Sequence, residues 1–191
     1  MKRLLIYVGL SLFFQTAAYS QIESICKLIP NDTSLSKQIL QTDSFQYSGT
    51  HHFYDDGHQA VLESFLFFAG TLFDRNCEMA LIYSSAKRQI VGTTIRFYDF
   101  FEWGSILTFY QKVEDSISDH SAYRRMSRLH KFIHPFSEGD GQELQALFES
   151  KCRYITTWKL RHHSFAKRIS LDVISNGAIQ NGAMVRILFE Y

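Results

Sequence analysis

The sequence predicts an α+β domain, in which an antiparallel sheet ending in a C-terminal β-hairpin packs against several helices. Three observations predict it. Residues 169–175 and 183–191 alternate apolar and polar side chains and flank the pairs Asn176-Gly177 and Asn181-Gly182. Asn-Gly accepts the positive φ of a tight hairpin turn. Upstream, several segments carry apolar residues at helical rather than strand spacing. Aromatic residues make up 15% of the chain, 17 of them Phe, which implies a bulky core or a greasy pocket.

The chain opens on Lys2 and Arg3, an apolar run Leu4–Phe14 broken only by Gly9 and Ser11, and the small residues Ala17, Ala18 and Ser20. This order reads as a cleavable secretory signal peptide over residues 1–20, with a mature chain from Gln21 that is secreted or periplasmic. The run is too short to span a bilayer, which takes about 20 apolar residues. The second apolar run, Phe65–Phe73, is shorter still and is bounded by Glu63 and Asp74. No transmembrane span is expected in the mature chain. Residues 21–191 are expected to form one domain, long enough to bury a core.

The elements follow in order. Ser34–Thr42 reads as a short helix and Phe45–Tyr54 as mixed, with strand-like aromatics. In Gln59–Ala69, Val61, Leu62, Phe65, Leu66 and Ala69 follow the 3.6-residue period, which predicts a helix. Glu78–Ser84 and Gln89–Tyr98 are rich in β-branched and aromatic residues and read as two strands. Helical spacing returns in Phe100–Ile117, in Ser121–Ile133 and in Gly141–Arg153. Ile155–Arg161, Ile169–Ser175 and Ala183–Tyr191 read as strands.

Removing Lys2 and Arg3 leaves 18 basic against 19 acidic residues. That near-neutral balance argues against nucleic acid as the main partner, since phosphate binding needs a basic surplus or face. The local excess at Lys151, Arg153, Lys159, Arg161, Lys167 and Arg168 reads as a solvated strand face. Cys26, Cys77 and Cys152 permit one disulfide in an oxidising compartment, with three pairings open. Asn31-Asp32-Thr33 has the form of a glycosylation sequon.

Three clusters bear on chemistry. His51, His52, Asp55, Asp56 and His58 place five imidazole and carboxylate groups within eight residues, a donor set suited to a transition metal. His162 and His163 would point to opposite faces of a strand. The third is His130-Lys131-Phe132-Ile133-His134-Pro135-Phe136-Ser137-Glu138-Gly139-Asp140-Gly141-Gln142. Continued through Glu143-Leu144-Gln145, it resembles the motif of the Fic family, His-Pro-Phe-x-(Asp/Glu)-Gly-Asn-Gly-Arg-x-x-Arg, whose members typically transfer AMP from ATP to a protein hydroxyl. The resemblance implies His134 as general base, Glu138 on magnesium, Phe136 packed under the loop, and Gly139 and Gly141 letting backbone amides cradle phosphates. Asp140 stands where the family has Asn, and Gln142 and Gln145 stand where it has Arg.

No Gly-x-Ser-x-Gly, phosphate-loop or dinucleotide glycine pattern occurs. The function this predicts is a binding domain without catalysis, taking a small apolar ligand in an aromatic-lined pocket between sheet and helices, or another protein. The alternatives are a Fic-like AMP transferase and a metal-dependent enzyme at 51–58. The sequence names no cofactor.

Overall fold

The computed structural model describes residues 22, 25–26, 28, 32–42, 45–54, 60–119, 123–160, 166–175 and 182–191. Within them lie α1 (Thr33–Thr42), β1 (Gln46–Tyr54), β2 (Val61–Leu72), β3 (Arg75–Ser84), β4 (Gln89–Phe100), α2 (Trp103–Ser118), β5 (Tyr123–Phe132), α3 (Glu143–Phe148), β6 (Cys152–Leu160), β7 (Arg168–Ser175) and β8 (Ala183–Glu190). The strands form one eight-stranded antiparallel sheet in the order β1-β2-β3-β4-β8-β7-β6-β5. Two four-stranded meanders thus meet at the β4–β8 seam, and β1 and β5 are the two edges.

The architecture is β-rich and corrects the expected α+β arrangement of a sheet against several helices. Two expected helices are strands. Gln59–Ala69 falls mostly in β2, because this strand is apolar on both faces. Leu66 and Phe68 are buried on one side, and Phe65 and Phe67 are half-buried on the other. A strand apolar on both faces has no period-2 signal and mimics a helix. Ser121–Ile133 became β5 for a different reason. A register shift between Arg125 and Ser127 leaves Met126 as an extra residue. Tyr123 and Phe132 face inward, Leu129 faces outward and Met126 is the bulged residue, so their spacing of three mimics a helix without marking one face. The third helix, Gly141–Arg153, shrinks to six-residue α3. Ser150 adopts a positive φ of 57° beyond it, and Cys152–Arg153 already pair with β5. The helices at 34–42 and 100–117 and the three C-terminal strands stand close to where the sequence places them. The Asn-Gly turn residues 176–181 lie outside the described residues, as do 1–20, Asn31, His162 and His163.

Helix α2 carries the chain from β4, at the seam, to β5, at the far edge. That step crosses four inter-strand spacings, about 19 Å at about 4.8 Å each. Sixteen residues of α-helix span about 24 Å, so α2 is long enough to cover that distance. Trp103, Ile106, Phe109, Tyr110, Val113, Glu114 and Ile117 are buried along it, the stripe its spacing predicts. Phe109 meets Phe97 at 4.8 Å and Phe100 at 5.4 Å between ring centroids. Lys112 Nζ donates to the Phe73 carbonyl and to Asp74 Oδ2, at 3.2 and 2.8 Å. It thereby clamps the two-residue β2–β3 turn, where Phe73 and Asp74 both hold positive φ. On the same inner face, Phe45 beyond α1 fills the space left by the missing side chain of Gly70.

A polar network fastens β5 to α2. Glu114 is fully buried, accepts a hydrogen bond from Thr156 Oγ1 at 3.0 Å, and lies 3.2 Å from Arg128 on β5. The Arg128 contact is a charge pair without hydrogen-bond alignment, because Oε2 has no hydrogen-bond partner. Tyr110 donates to Thr156 Oγ1 at 2.9 Å. His130 stacks on Tyr154 with centroids 3.4 Å apart. Burial, then the charges of Arg128 and Arg125, hold the His130 imidazole down at about 4.

Breaking the ion pair from the arginine side strands a buried carboxylate. Arg128→Met should therefore destabilise the fold by about 3 kcal/mol. Glu114→Gln, which keeps an acceptor for Thr156, should cost about 1 kcal/mol. Urea titration of both variants checks the order; equal costs would show that the pair does not hold the edge. The His130 shift predicts acid sensitivity. Its folded value lies below the ordinary 6.5, so below pH 6.5 the unfolded chain takes up a proton that folded His130 refuses. Its contribution is present above pH 6.5 and is lost as pH falls toward 4. His130→Phe, which keeps a ring against Tyr154, should flatten that part of the stability–pH curve relative to wild type.

Candidate binding surface

Alternation along β1–β3 places His51, Phe53, Glu63, Phe65, Phe67 and Ile82 on the outer face of the sheet, around the covered Ala80 and opposite the buried Leu66, Phe68, Met79 and Leu81. An antiparallel sheet with one face on the core usually turns polar side chains outward. Here the outward set is aromatic. The Phe53 and Phe65 rings meet edge to face at 5.0 Å, and Phe65 and Phe67 stack at 6.4 Å with planes 21° apart. His51 closes the row at 6.1 Å from Phe67. Phe53 is 56% exposed and Leu62 is 48% exposed. Between them runs an open groove of about 420 Å³, lined by Phe53, Leu62, Glu63, Phe65, Ser84 and Ala86. Helix α1, which meets β1, lies on the other side: Lys37 sits over the Tyr47 ring, and Tyr47 packs edge-on to Phe68.

The space between sheet and α2, where the sequence reading places an aromatic-lined pocket, is filled by the buried stripe of α2. Two further grooves are open to solvent. One of about 600 Å³ runs beside the start of α2, past Arg75, Glu102 and Lys112. The other, of about 440 Å³, lies between Phe101 and α3.

The residues singled out for chemistry are dispersed. His51 faces outward and His52 inward, where its Nδ1 lies 2.9 Å from Ser64 Oγ. Asp55, Asp56 and His58 lie outside the described residues. Among the described residues, no group of three or more His, Cys, Asp or Glu side chains is placed to hold a metal. His134 sits exposed in the loop after β5, joined to Pro135 by a cis peptide bond, and Phe136 is buried. Glu138, Gly139 and Gly141 are also exposed.

The loop amides are taken by its own carboxylates. Ser137 N–H donates to Asp140 Oδ2 at 2.7 Å, Gln142 N–H to Asp140 Oδ1 at 2.8 Å, and Gly139 N–H to Glu143 Oε1 at 2.7 Å. The Ser137 and Gln142 amides hold the Asp140 carboxyl below its ordinary value. No disulfide joins the three cysteines. Burial pushes the Cys77 thiol up to about 12 and, with Glu138 and Glu143 nearby, the Cys152 thiol to about 11. Both are protonated at neutral pH and poor nucleophiles.

No family model, curated protein or solved structure matches this chain.

The aromatic row is hidden in the sequence because β2 carries apolar residues at helical spacing. The signal was present: Phe65 and Phe67, two apart, are flanked by Leu66 and Phe68, a doubly apolar run too short to span a membrane. If the row is surface and not core, Phe53→Ser should change stability by no more than about 0.5 kcal/mol. Phe68→Ala, one strand away on the inner face, should cost about 3–5 kcal/mol. Paired denaturant titrations check this, and a large cost for Phe53→Ser would reassign the row to the core.

Proposed function

We propose that this chain is an exported, non-catalytic domain that binds another protein through the aromatic outer face of β1–β3. The observation that carries the reading is the row His51, Phe53, Phe65 and Phe67 on a face that an ordinary antiparallel sheet leaves polar. Contiguous exposed apolar surface of this kind marks interaction sites, and aromatic residues concentrate in the centres of protein interfaces. The openness of the groove favours a protein over a small apolar ligand, because small-ligand sites enclose most of the ligand's surface. Export rests on the order of charge, apolar run and small residues in 1–20. No described helix is long and apolar enough to cross a membrane.

A photo-crosslinking amino acid placed at position 53, in the native host, should yield one discrete protein adduct. The same probe at position 170, on the outer face of β7, should not. Phe65→Ser should abolish the adduct without loss of fold. Equal labelling from both positions would defeat the reading. N-terminal sequencing of exported material should begin at Gln21.

A further inference from the structure

Strand β5 is a ten-residue edge, and among the described residues no strand pairs with its outer side. Its register with β6 sets like charges directly opposite each other: Lys131 faces Arg153, and Arg124 faces Lys159. Lys159 also faces Arg168 on β7. Directly opposed like charges destabilise a sheet. Elsewhere this sheet neutralises such a clash. Arg96 faces Arg186 across the β4–β8 seam, but Glu78 lies 3.1 Å from Arg96 and Asp172 lies 2.6 Å from Arg186. At the β5 edge, among the described residues, no carboxylate pairs with Arg124, Lys131, Arg153 or Lys159.

A charged edge strand by itself protects against aggregation. That role does not require cations on the inner neighbour β6, nor the exposed apolar side chains of β5. Met126 is 62% exposed and Leu129 is 42% exposed. Leu129 lies on the outer face between the two cationic ends, which stand about 20 Å apart at about 3.3 Å per residue.

We propose that β5 receives an extended acidic peptide segment of a partner protein as a ninth strand. The segment's backbone pairs with the free side of β5, its acidic side chains meet Arg124–Lys159 and Lys131–Arg153, and an apolar residue between them covers Leu129. Strand addition of this kind draws affinity from the main chain and specificity from alternate side chains. The contact of Arg128 with buried Glu114 and the His130–Tyr154 stack keep the edge strand fixed for it. This site is separate from the aromatic face, so the two stand or fall independently.

The probe is a blocked ten-residue peptide alternating Glu and Thr, with one central Glu replaced by Val to lie over Leu129, titrated by fluorescence anisotropy against the full exported chain. The expected result is saturable binding that weakens steeply with salt. Affinity should fall at least tenfold when alternate peptide amides are N-methylated, and binding should vanish when Lys replaces Glu. Lys131→Glu should weaken binding at least tenfold while leaving the fold intact, since it replaces a repulsive pair with Arg153 by an attractive one. Phe65→Ser should leave peptide binding unchanged. Equal affinity for the N-methylated peptide would overturn strand addition. So would absence of peptide binding, or binding only to phosphatidylglycerol vesicles, which would assign the patch to a membrane surface.

Discussion

Helix α2 meets β4, β5, β7 and β8 with a single stripe of side chains. Its length covers the distance from the seam to the edge, and its contacts decide where both meanders sit. At its start Phe109 joins the aromatic cluster of Phe73, Phe97 and Phe100. Further along, Tyr110 and Glu114 turn to polar work. A carboxylate with no solvent exposure is tolerable only where it is paired and hydrogen-bonded. Arg128 and Thr156 supply that from β5 and β6, the half of the second meander farther from the seam. Without this pairing β5 would be an edge strand with little apolar burial, since most of its side chains are exposed.

The two faces of the sheet are chemically unlike, and the outer face is itself divided. Over β1–β3 it is aromatic; over the β4–β8 seam it carries neutralised arginines; at β5–β6 it is cationic. The inner face is mainly apolar, apart from the α2–β5–β6 network, Thr93 bonded to Tyr191 and the His52–Ser64 pair. Such zoning is not needed to fold an antiparallel sheet, for which scattered polar residues suffice on the solvated side. It is what a sheet with separate docking zones would carry. The thiols, the Asp140 loop and His52 are by contrast satisfied within the molecule.

Much of the fold was legible. Helices α1 and α2 and strands β7 and β8 follow local periodicity, whereas β3 and β4 were legible from β-branched and aromatic content, since they bury consecutive residues on both faces. The errors fall where a second constraint overrides the period. In β2 both faces are apolar. In β5 a bulge at Met126 shifts the phase, and the inward positions Arg128 and His130 are polar because their partners are distant in the chain. The candidate surface was hidden for the same reason as β2. Its residues are apolar although they face outward, which no local pattern distinguishes from facing in.

The sequence by itself determined the apolar content, the near-neutral charge and the alternation of the last strands. These depend on residues within a few positions of one another. The tertiary structure alone decided that two meanders join at β4 and β8, that Glu114 meets Arg128, and that Lys131 faces Arg153 while Arg96 and Arg186 are each neutralised. Strand register and helix crossing are long-range choices: they bring residues into contact across dozens of positions, and their energies exist only once the chain has closed.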